Sequence, residues 1–453
     1  MNDTVPARTG GCRRLSPPAL GLLAILAAGC LSSPAALAGK EVGAYVQRNL
    51  VSDGGVPAEH VDPELINPWG IALTATGMVW IASNGNSGSS VYDGLGNPLH
   101  SPSLAVDIPG GSPTGIASNE GADFALPCPD GTVDPAVFIF ATEAGVISGW
   151  SYRAGETKAI AMVDNSQGGA VYKGVAIAAN GNSRFLYATD FHGGKIDVFD
   201  NVFQPVTLPA GAFKDPSLPA GFAPFGIHNI NGNLYVTYAK QDSDKEDGVA
   251  GAGMGFVNIF NADGRLVRRL ASRGHLNAPW GMAMAPADFG PFSNHLLVAN
   301  VGDGKINAYD PASGEFKGEI RGTDSRPLAI DGLWGICFGN GVRDQPTNAL
   351  FFTAGPAGAN HGLYGRIERA DGLLAAGRAA PLQTQPGEQP LGGAKAGEPA
   401  LQKVKASEGG DGEKPLRNED GALLDAQGQG QQDNAAGQDT NGTLNIHAPK
   451  TPD

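Results

Sequence analysis

Four side chains with oxygen donors fall at corresponding places in a repeated phrase of this 453-residue chain, each at the end of an apolar run such as "FIFATE" or "FLYATD". They are Asn84, Glu143, Asp190 and Asn300. Two carboxylates and two carboxamides suit Ca²⁺ or another hard divalent ion, so these residues are candidate metal ligands. Lys240 and Gly355 take the same place in two further repeats, and Lys240 could neutralise a carboxylate instead of a metal. The alternative interpretation is that all of these residues cap strands and bond to neighbouring repeats.

A second set of residues precedes a recurrent glycine: Trp69, Thr114, Lys173, Phe225, Trp280 and Trp334. The aromatic residues and the lysine could line a pocket in which Lys173 attracts an anion. We therefore assign as candidate ligand-binding residues Trp69, Lys173, Phe225, Trp280, Asp331 and Trp334. The competing interpretation is that the large rings wedge between repeats and bury apolar area.

Two histidines follow the same apolar runs, His192 in "TDFHGG" and His361 in "ANHGLYG". Either could act as a general base, so both are candidate catalytic residues.

The segment "KQDSDKEDGVAGAGMG" alternates carboxylates like a Ca²⁺ loop, but its glycine falls one place too late for an EF-hand. The sequence contains no nucleophile elbow, HExxH motif or nucleotide-binding fingerprint.

The composition indicates what must position these residues. The chain has 67 Gly, 33 Pro and only 17% charged residues, which favours many short strands joined by turns. Its net charge of -14 and the lack of a basic cluster argue against a nucleic-acid partner.

One phrase recurs six times, in forms such as "NPWGIAL", "APFGIHN" and "APWGMAM". Its glycines, which we name the pivot glycines, are Gly70, Gly115, Gly174, Gly226, Gly281 and Gly335. They are spaced by about 53 residues on average, which is room for four short strands per repeat. This predicts an all-β fold, a six-bladed β-propeller of four-stranded blades, with the glycines where blades converge on the axis.

The ends of the repeat region predict how the ring closes. The last repeat ends after its third predicted strand, "HGLYGRIER", whereas "YVQRNLVSD" precedes the first repeat and belongs to no complete unit. We therefore expect the N-terminal strand to supply the outer strand of the last blade, which removes an open edge.

Outside the predicted propeller (residues 39–372), two segments differ in composition. Residues 1–38 resemble an export signal, with arginines ahead of a short apolar run and a cleavage site after Ala38, while "LAAGC" offers lipidation at Cys30 as an alternative. We expect a periplasmic or extracellular protein without a transmembrane anchor, with Cys128 and Cys337 as separate thiols. Residues 373–453 lack aromatic residues and are predicted to be a disordered tail.

Several segments together, among them "FATEAGVISGW", "LNAPWGMAMAPADFGPFS" and "DGLWGICFGN", resemble a family of exported bacterial conserved hypothetical proteins. That family is similar in fold to NHL-repeat and gluconolactonase-like six-bladed propellers. The resemblance implies the propeller and export, and brings no established activity. Gluconolactonase-like propellers hold a catalytic metal with a similar mixture of carboxylate and Asn ligands, which is an analogy of fold and residue type.

Two functional hypotheses follow. The first is a monomeric binding or scaffold propeller that presents its axial mouth to a small molecule, a glycan or a cell-surface protein. The second is a metal-dependent hydrolase of a lactone or ester, with the four oxygen-donor residues around a Ca²⁺-type ion and His192 or His361 moving a proton. We prefer the first, because no catalytic motif is intact and one repeat has Lys240 where others have an oxygen-donor residue.

Overall fold

The computed structural model describes residues 44–99 and 105–371, which build six β-sheets arranged as the blades of a propeller. The predicted fold class is thus confirmed. The expected signal peptide, Cys30 and the predicted tail from residue 373 lie outside the described residues. Among the residues described, no helix is both long and apolar enough to cross a membrane.

We number the blades in chain order and give their strands from the axis outwards. Blade 1 contains Pro68–Leu73, Val79–Ser83, Gly88–Tyr92 and Val106–Asp107. Blade 2 contains Pro113–Ser118, Phe138–Thr142, Val146–Trp150 and Ile160–Asp164, beside a small hairpin of Ala125–Pro127 and Val133–Pro135. Blade 3 contains only Tyr172–Asn180, Ser183–Asp190 and Lys195–Phe199.

Blade 4 contains Phe222–Ile230, Asn233–Gln241, Gly255–Phe260 and Leu266–Ser272, and Gly248–Val249 pairs with its second strand. Blade 5 contains Pro279–Met284, Leu296–Asn300, Ile306–Tyr309 and Phe316–Glu319. Blade 6 contains Leu333–Phe338, Leu350–Ala354, Leu363–Arg369 and the N-terminal strand Tyr45–Ser52, which His60–Val61 extends in parallel. Short helical turns occupy Asn84–Asn86, Ser166–Gly168 and Pro356–Ala359.

The pivot glycines lie where the innermost strands of adjacent blades approach each other. A Cβ at Gly70 would lie 2.6 Å from the carbonyl oxygen of Thr114 in the next blade. A Cβ at Gly335 would lie 2.6 Å from the carbonyl oxygen of Trp69, which continues the pattern from the last blade to the first. A side chain at these positions would collide with main chain that cannot move, which explains why each repeat has a glycine there.

The N-terminal strand closes the ring as the sequence predicted. Tyr45–Ser52 pairs antiparallel with Leu363–Arg369 over seven residue pairs, with a bulge after Asn49. Its buried side chains include Tyr45, Leu50 and Val51, and the Tyr45 hydroxyl donates to the carbonyl of Phe289 at 2.8 Å. The outer edge of blade 6 is thereby covered by a strand from the opposite end of the propeller sequence.

The core consists of apolar layers between neighbouring blades. Between blades 1 and 2, for example, Trp80 lies 4.5 Å from the rings of both Phe138 and Trp150. Cys128 and Cys337 are both free thiols, as predicted, and burial raises the pKa of Cys337 to about 12. These layers fix the angle between blades and so determine which loops meet at the axis.

Candidate functional site

Four aromatic rings fill the mouth of the axial channel, where the loops leaving the second strands converge. We call Trp69, Phe225, Trp280 and Trp334 the aromatic plug. The Trp69 and Trp334 rings stack at 3.4 Å, and Trp280 meets both edge-on at 6.2 and 6.1 Å. All four are at most 9% exposed, so they pack on one another across the axis and do not form an open pocket.

Lys173 lies beside the plug and is the central charge of the site. Its side chain is completely buried, and its ammonium lies 5.0 Å from the centre of the Trp69 ring. The ammonium forms ion pairs with Glu143 of blade 2 and with Asp247 of blade 4, the latter at 2.8 Å. The lysine that the sequence suggested as an anion-attracting residue is therefore held between two carboxylates of the protein itself.

A chain of hydrogen bonds orients Glu143. Its second carboxylate oxygen accepts from the Asn84 amide at 3.0 Å, and Asn84 accepts from the Asn67 amide at 3.1 Å. Asn67 in turn accepts from the indole N–H of Trp334 at 3.2 Å. Sequence reasoning did not include Asn67, which adopts a φ of 45°, as do Ser112 and Ala278 at the equivalent place before Pro, with φ of 43° and 45°.

Asp247 belongs to an exposed turn, Asp242–Asp247, which we call the acidic loop. The main-chain N–H of Asp242 donates to the carbonyl of Asp247 at 3.0 Å, and Glu246 N–H donates to the Asp242 carboxylate at 2.9 Å. The Asp247 side chain remains 69% exposed although its carboxylate reaches the buried Lys173. The loop is thus folded on itself and contacts the mouth through this carboxylate.

The four predicted metal ligands do not meet at one point. Asn84 and Glu143 bond to each other, whereas the Asp190 carboxylate accepts from the main-chain N–H of Val171 and Gly193 and pairs with Lys195. The Asn300 side chain is likewise taken up within blade 5: its oxygen accepts from the Asn277 N–H, and its amide donates to the His275 carbonyl and the Asp303 carboxylate.

The charges around these residues also disfavour a metal. Lys240 lies over the ring of Phe222 and donates to the carbonyl of Ala220, and Lys173 is the cation that reaches Glu143. Within residues 44–99 and 105–371, no three His, Cys, Asp or Glu side chains come close enough to hold a metal ion. The donor set therefore does not fit a Ca²⁺-type ion, which needs six or more oxygens around one point.

The remaining predicted residues are not part of the plug, although the main-chain carbonyl of His361 accepts from the N–H of Asn67 at 3.1 Å. His361 contacts Asp53 at 2.7 Å near the ring closure. Burial alone would raise the pKa of Asp53, but hydrogen bonds from His361 and from main-chain N–H groups hold it below its usual value. His192 is exposed beside blade 3, and Asp331 is an exposed residue that accepts from the N–H of Ala357.

His228 lines the channel below the plug, a role that the sequence did not reveal. A narrow cavity of about 50 Å³ lies there, bounded by pivot glycines and by Ile71, Ile116, Val175, Ile336 and His228. Burial lowers the pKa of His228 to about 4, and its Nε2 accepts from the N–H of Met282 at 3.4 Å. The imidazole is therefore neutral at pH 7 and acts as an acceptor.

Comparison with known proteins gives relatives over most of the propeller. The chain is 36% identical over 327 residues to the uncharacterized protein R648 of Acanthamoeba polyphaga mimivirus, covering 70% of this chain and 78% of that protein. It is 34% identical over 334 residues to the uncharacterized protein L690 of the same virus, covering 70% and 84%. These relatives are viral, so the bacterial and exported character expected of the family stays a prediction. No family profile matches the chain.

Among solved structures, virginiamycin B lyase from Staphylococcus aureus is similar in fold, with 14% identity and a TM-score of 0.39. The match covers 72% of this chain and 98% of the lyase.

Proposed function

The chain belongs to the same family as the mimivirus proteins R648 and L690, and we propose that it is a propeller that binds a small organic acid, such as a sugar acid, at its axial mouth. The observation that carries this proposal is the buried ammonium of Lys173, which is compensated from one side by Glu143 and from the other by Asp247 of the acidic loop. A buried ammonium needs such compensation, because removing an unpaired charge from water is very costly.

The two carboxylates differ in how firmly they are held. Glu143 is oriented by Asn84 and is 28% exposed, whereas Asp247 is 69% exposed and, among the described residues, its carboxylate bonds to Lys173 alone. A carboxylate from a ligand can replace that of Asp247 and leave Lys173 fully paired. Asp247 then acts as an internal competitor that keeps the lysine neutralised until an acid binds.

The surroundings of Lys173 offer a second donor. The indole N–H of Trp69 is buried, and no acceptor for it exists among the described residues. Buried donors are rarely left without a partner, so this N–H is available to an oxygen atom of a bound molecule. The Trp69 ring lies 5.0 Å from the ammonium, so a ligand carboxylate that replaces Asp247 binds beside this ring.

The alternative function, a metal-dependent lactone or ester hydrolase, receives less support. The oxygen donors that it requires belong to separate hydrogen-bond networks. Glu143, the carboxylate that Asn84 orients at the mouth, is already ion-paired with Lys173. Neither candidate base reaches the plug, since His361 pairs with Asp53 near the ring closure and His192 borders blade 3. Together with the expected export signal, this favours a binding protein that meets its ligand outside the cytoplasm.

Titration calorimetry with D-glucuronate, and with D-glucose as the neutral counterpart, tests the proposal. We expect glucuronate to bind and glucose not to bind. Lys173→Met should weaken glucuronate binding at least about tenfold, because the ligand loses a charge-assisted hydrogen bond worth roughly 1.5 to 3 kcal/mol. Asp247→Asn should strengthen binding several-fold, because it removes the competing carboxylate.

Asp244→Asn is the matched control, since it removes the same charge from the same loop without touching Lys173. Equal affinities of the Asp247→Asn and Asp244→Asn variants would overturn the exchange of carboxylates. Equal binding of glucuronate and glucose would overturn recognition of an acid. Asp247→Asn leaves the Lys173–Glu143 pair intact, so these comparisons hold even if Lys173→Met fails to fold.

A further inference from the structure

Blade 3 differs from the other blades in having an open outer edge. Its sheet contains three strands and ends at Lys195–Phe199, whereas each of the other five blades has at least four strands. An exposed edge of this kind presents unpaired main-chain N–H and C=O groups, which act as a template for another strand.

Blade 1 has the fourth strand that blade 3 lacks. Its third strand turns back at a bridge between Tyr92 and Pro98, as that of blade 3 does between Phe199 and Pro205. In blade 1 the chain then returns as Val106–Asp107 and pairs with Gly88 and Ser89.

The corresponding residues of blade 3 are Lys195 and Ile196. There the chain leaves the edge after Val206, whose N–H donates to the carbonyl of Val198 at 2.8 Å. Because main-chain groups of alternate residues point to the same side of a strand, those of Ile196 face outwards like those of Val198. Within the described part of the chain, these groups of Ile196 have no hydrogen-bond partner.

A groove of about 570 Å³ lies along this edge. One side is apolar and is formed by residues of the segment that leaves the blade, including Val206, Leu208 and Phe213. The other side is polar, where Lys195 pairs with both Asp190 and Asp197 and the Tyr172 hydroxyl donates to Asp197 at 2.9 Å. The groove thus offers main-chain groups, an apolar wall and a polar wall side by side.

The two lysines and two aspartates that line the groove sum to no net charge, but they are paired unevenly. Asp190 and Asp197 are engaged by Lys195, by Tyr172 and by main-chain N–H groups. Lys214 also lines the groove, and no carboxylate among the described residues lies within ion-pair distance of it. Lys214 is therefore complementary to an acidic group on an occupant.

We propose that the open edge of blade 3 binds an extended peptide segment of a partner protein as a fourth strand. The peptide forms main-chain hydrogen bonds with Ile196, places an apolar side chain against Val206, Leu208 and Phe213, and directs an acidic side chain to Lys214. This is strand addition, in which main-chain bonds give affinity and the flanking walls give specificity. The site is separate from the axial mouth and does not rest on the acid-binding function.

The chain supplies its own probe. The pentapeptide Ala-Val-Asp-Ile-Pro, residues 105–109, contains the strand that does this pairing in blade 1 and carries both apolar and acidic side chains. We expect this acetylated and amidated peptide, at millimolar concentration, to slow amide hydrogen exchange in the segment Lys195–Phe199 of the full chain at least about tenfold. A panel of variants with other apolar residues at the Val and Ile positions extends the test to side-chain preference.

Two controls separate strand addition from other binding. A peptide N-methylated at Val and Ile keeps its side chains but loses main-chain donors, and it should give no protection. Lys214→Glu should weaken binding several-fold, whereas Arg326→Glu, the same charge change at an exposed residue of blade 5, should not.

The proposal is overturned if no peptide of the panel protects the segment, or if the N-methylated peptide protects it equally, which would indicate a pocket for small molecules. Protection that grows with protein concentration, without peptide, would instead assign the edge to a second copy of the chain.

Discussion

Lys173 makes one side of the propeller mouth polar. Blades 1, 4, 5 and 6 place aromatic rings immediately before their pivot glycines, whereas blades 2 and 3 place Thr114 and Lys173 there. The Thr114 hydroxyl donates to the carbonyl of Tyr172 at 2.8 Å and so joins the two blades. Lys173 remains as the group whose charge must be balanced by the loops above it, and this is why the acidic loop contacts the mouth.

At the same scale, His228 predicts how stability depends on pH. Its pKa is about 4 in the folded state because burial disfavours the imidazolium, against 6.5 in the unfolded chain. Above pH 6.5 the imidazole is neutral in both states, and its contribution to stability is fully present. As the pH falls from 6.5 towards 4, the unfolded chain binds a proton that the folded chain does not, so stability is lost.

Urea unfolding at pH 7.0 and 4.5 measures this effect. The wild-type protein should lose about 2 kcal/mol more than a His228→Gln variant between these values, since one pKa unit corresponds to about 1.4 kcal/mol. Other groups titrate equally in both proteins and cancel in the difference. Equal losses in the two proteins would show that His228 is not the cause.

At the scale of the strand, buried threonines join blade 3 to blade 4 and blade 6 to blade 1. The Thr189 hydroxyl donates to the carbonyl of Phe225 at 2.7 Å, and that of Thr353 donates to the carbonyl of Trp69 at 2.6 Å. Thr353 also accepts from the N–H of Gly335 at 3.0 Å. The carbonyls of Phe225 and Trp69, which each precede a pivot glycine, are thus satisfied by a second-strand hydroxyl of the preceding blade, which keeps these innermost strands in register.

Thr353→Val tests this arrangement, because it keeps the shape of the side chain and removes both hydrogen bonds. We expect a loss of about 1 to 3 kcal/mol in the free energy of unfolding, since the buried Trp69 carbonyl and Gly335 N–H lose their partner. Thr157→Val, at an exposed position, serves as the control and should change stability by less than about 0.5 kcal/mol. Similar effects of the two substitutions, measured by chemical denaturation, would contradict the proposed role of the hydroxyl.

At the scale of the whole molecule, ring closure makes the stability of blade 6 depend on the N-terminal strand. Tyr45–Ser52 contributes Tyr45, Leu50 and Val51 to the core and covers the edge of Leu363–Arg369. Because every blade packs on two neighbours, loss of this strand opens the ring at one place and exposes apolar surface on both sides of blade 6.

Removal of this strand is therefore expected to destabilise the entire propeller. Burying each large apolar side chain contributes about 1.5 to 3 kcal/mol, so deleting residues 45–52 removes an amount comparable to the total stability of a typical protein. Thermal denaturation of a chain that starts at residue 53, compared with one that starts at residue 44, isolates the contribution of the strand. Equal melting temperatures would refute its role in closure.

The fold was predictable from the sequence because its signals are local and repeated. The pivot glycines mark each innermost strand, and the unmatched segment "YVQRNLVSD" indicated the closing strand that Tyr45–Ser52 forms. The three strands of blade 3 were not predicted. Its strand Lys195–Phe199 turns back at Phe199 and Pro205 like that of blade 1, and the later course of the chain depends on packing around Phe213.

The candidate site was predictable only as a set of residue types near the mouth. The sequence by itself determined that Asn84, Glu143, Lys173 and the aromatic residues before the pivot glycines lie around the axis, since the repeat places equivalent positions in a ring. Only the tertiary structure decided that Glu143 turns towards Lys173, that Asp190 and Asn300 bond within their own blades, and that Asp247 reaches across from blade 4. The reason is physical: a repeat period fixes where a strand begins, whereas pairing between side chains of different blades depends on blade angles and loop conformations set by the packed core.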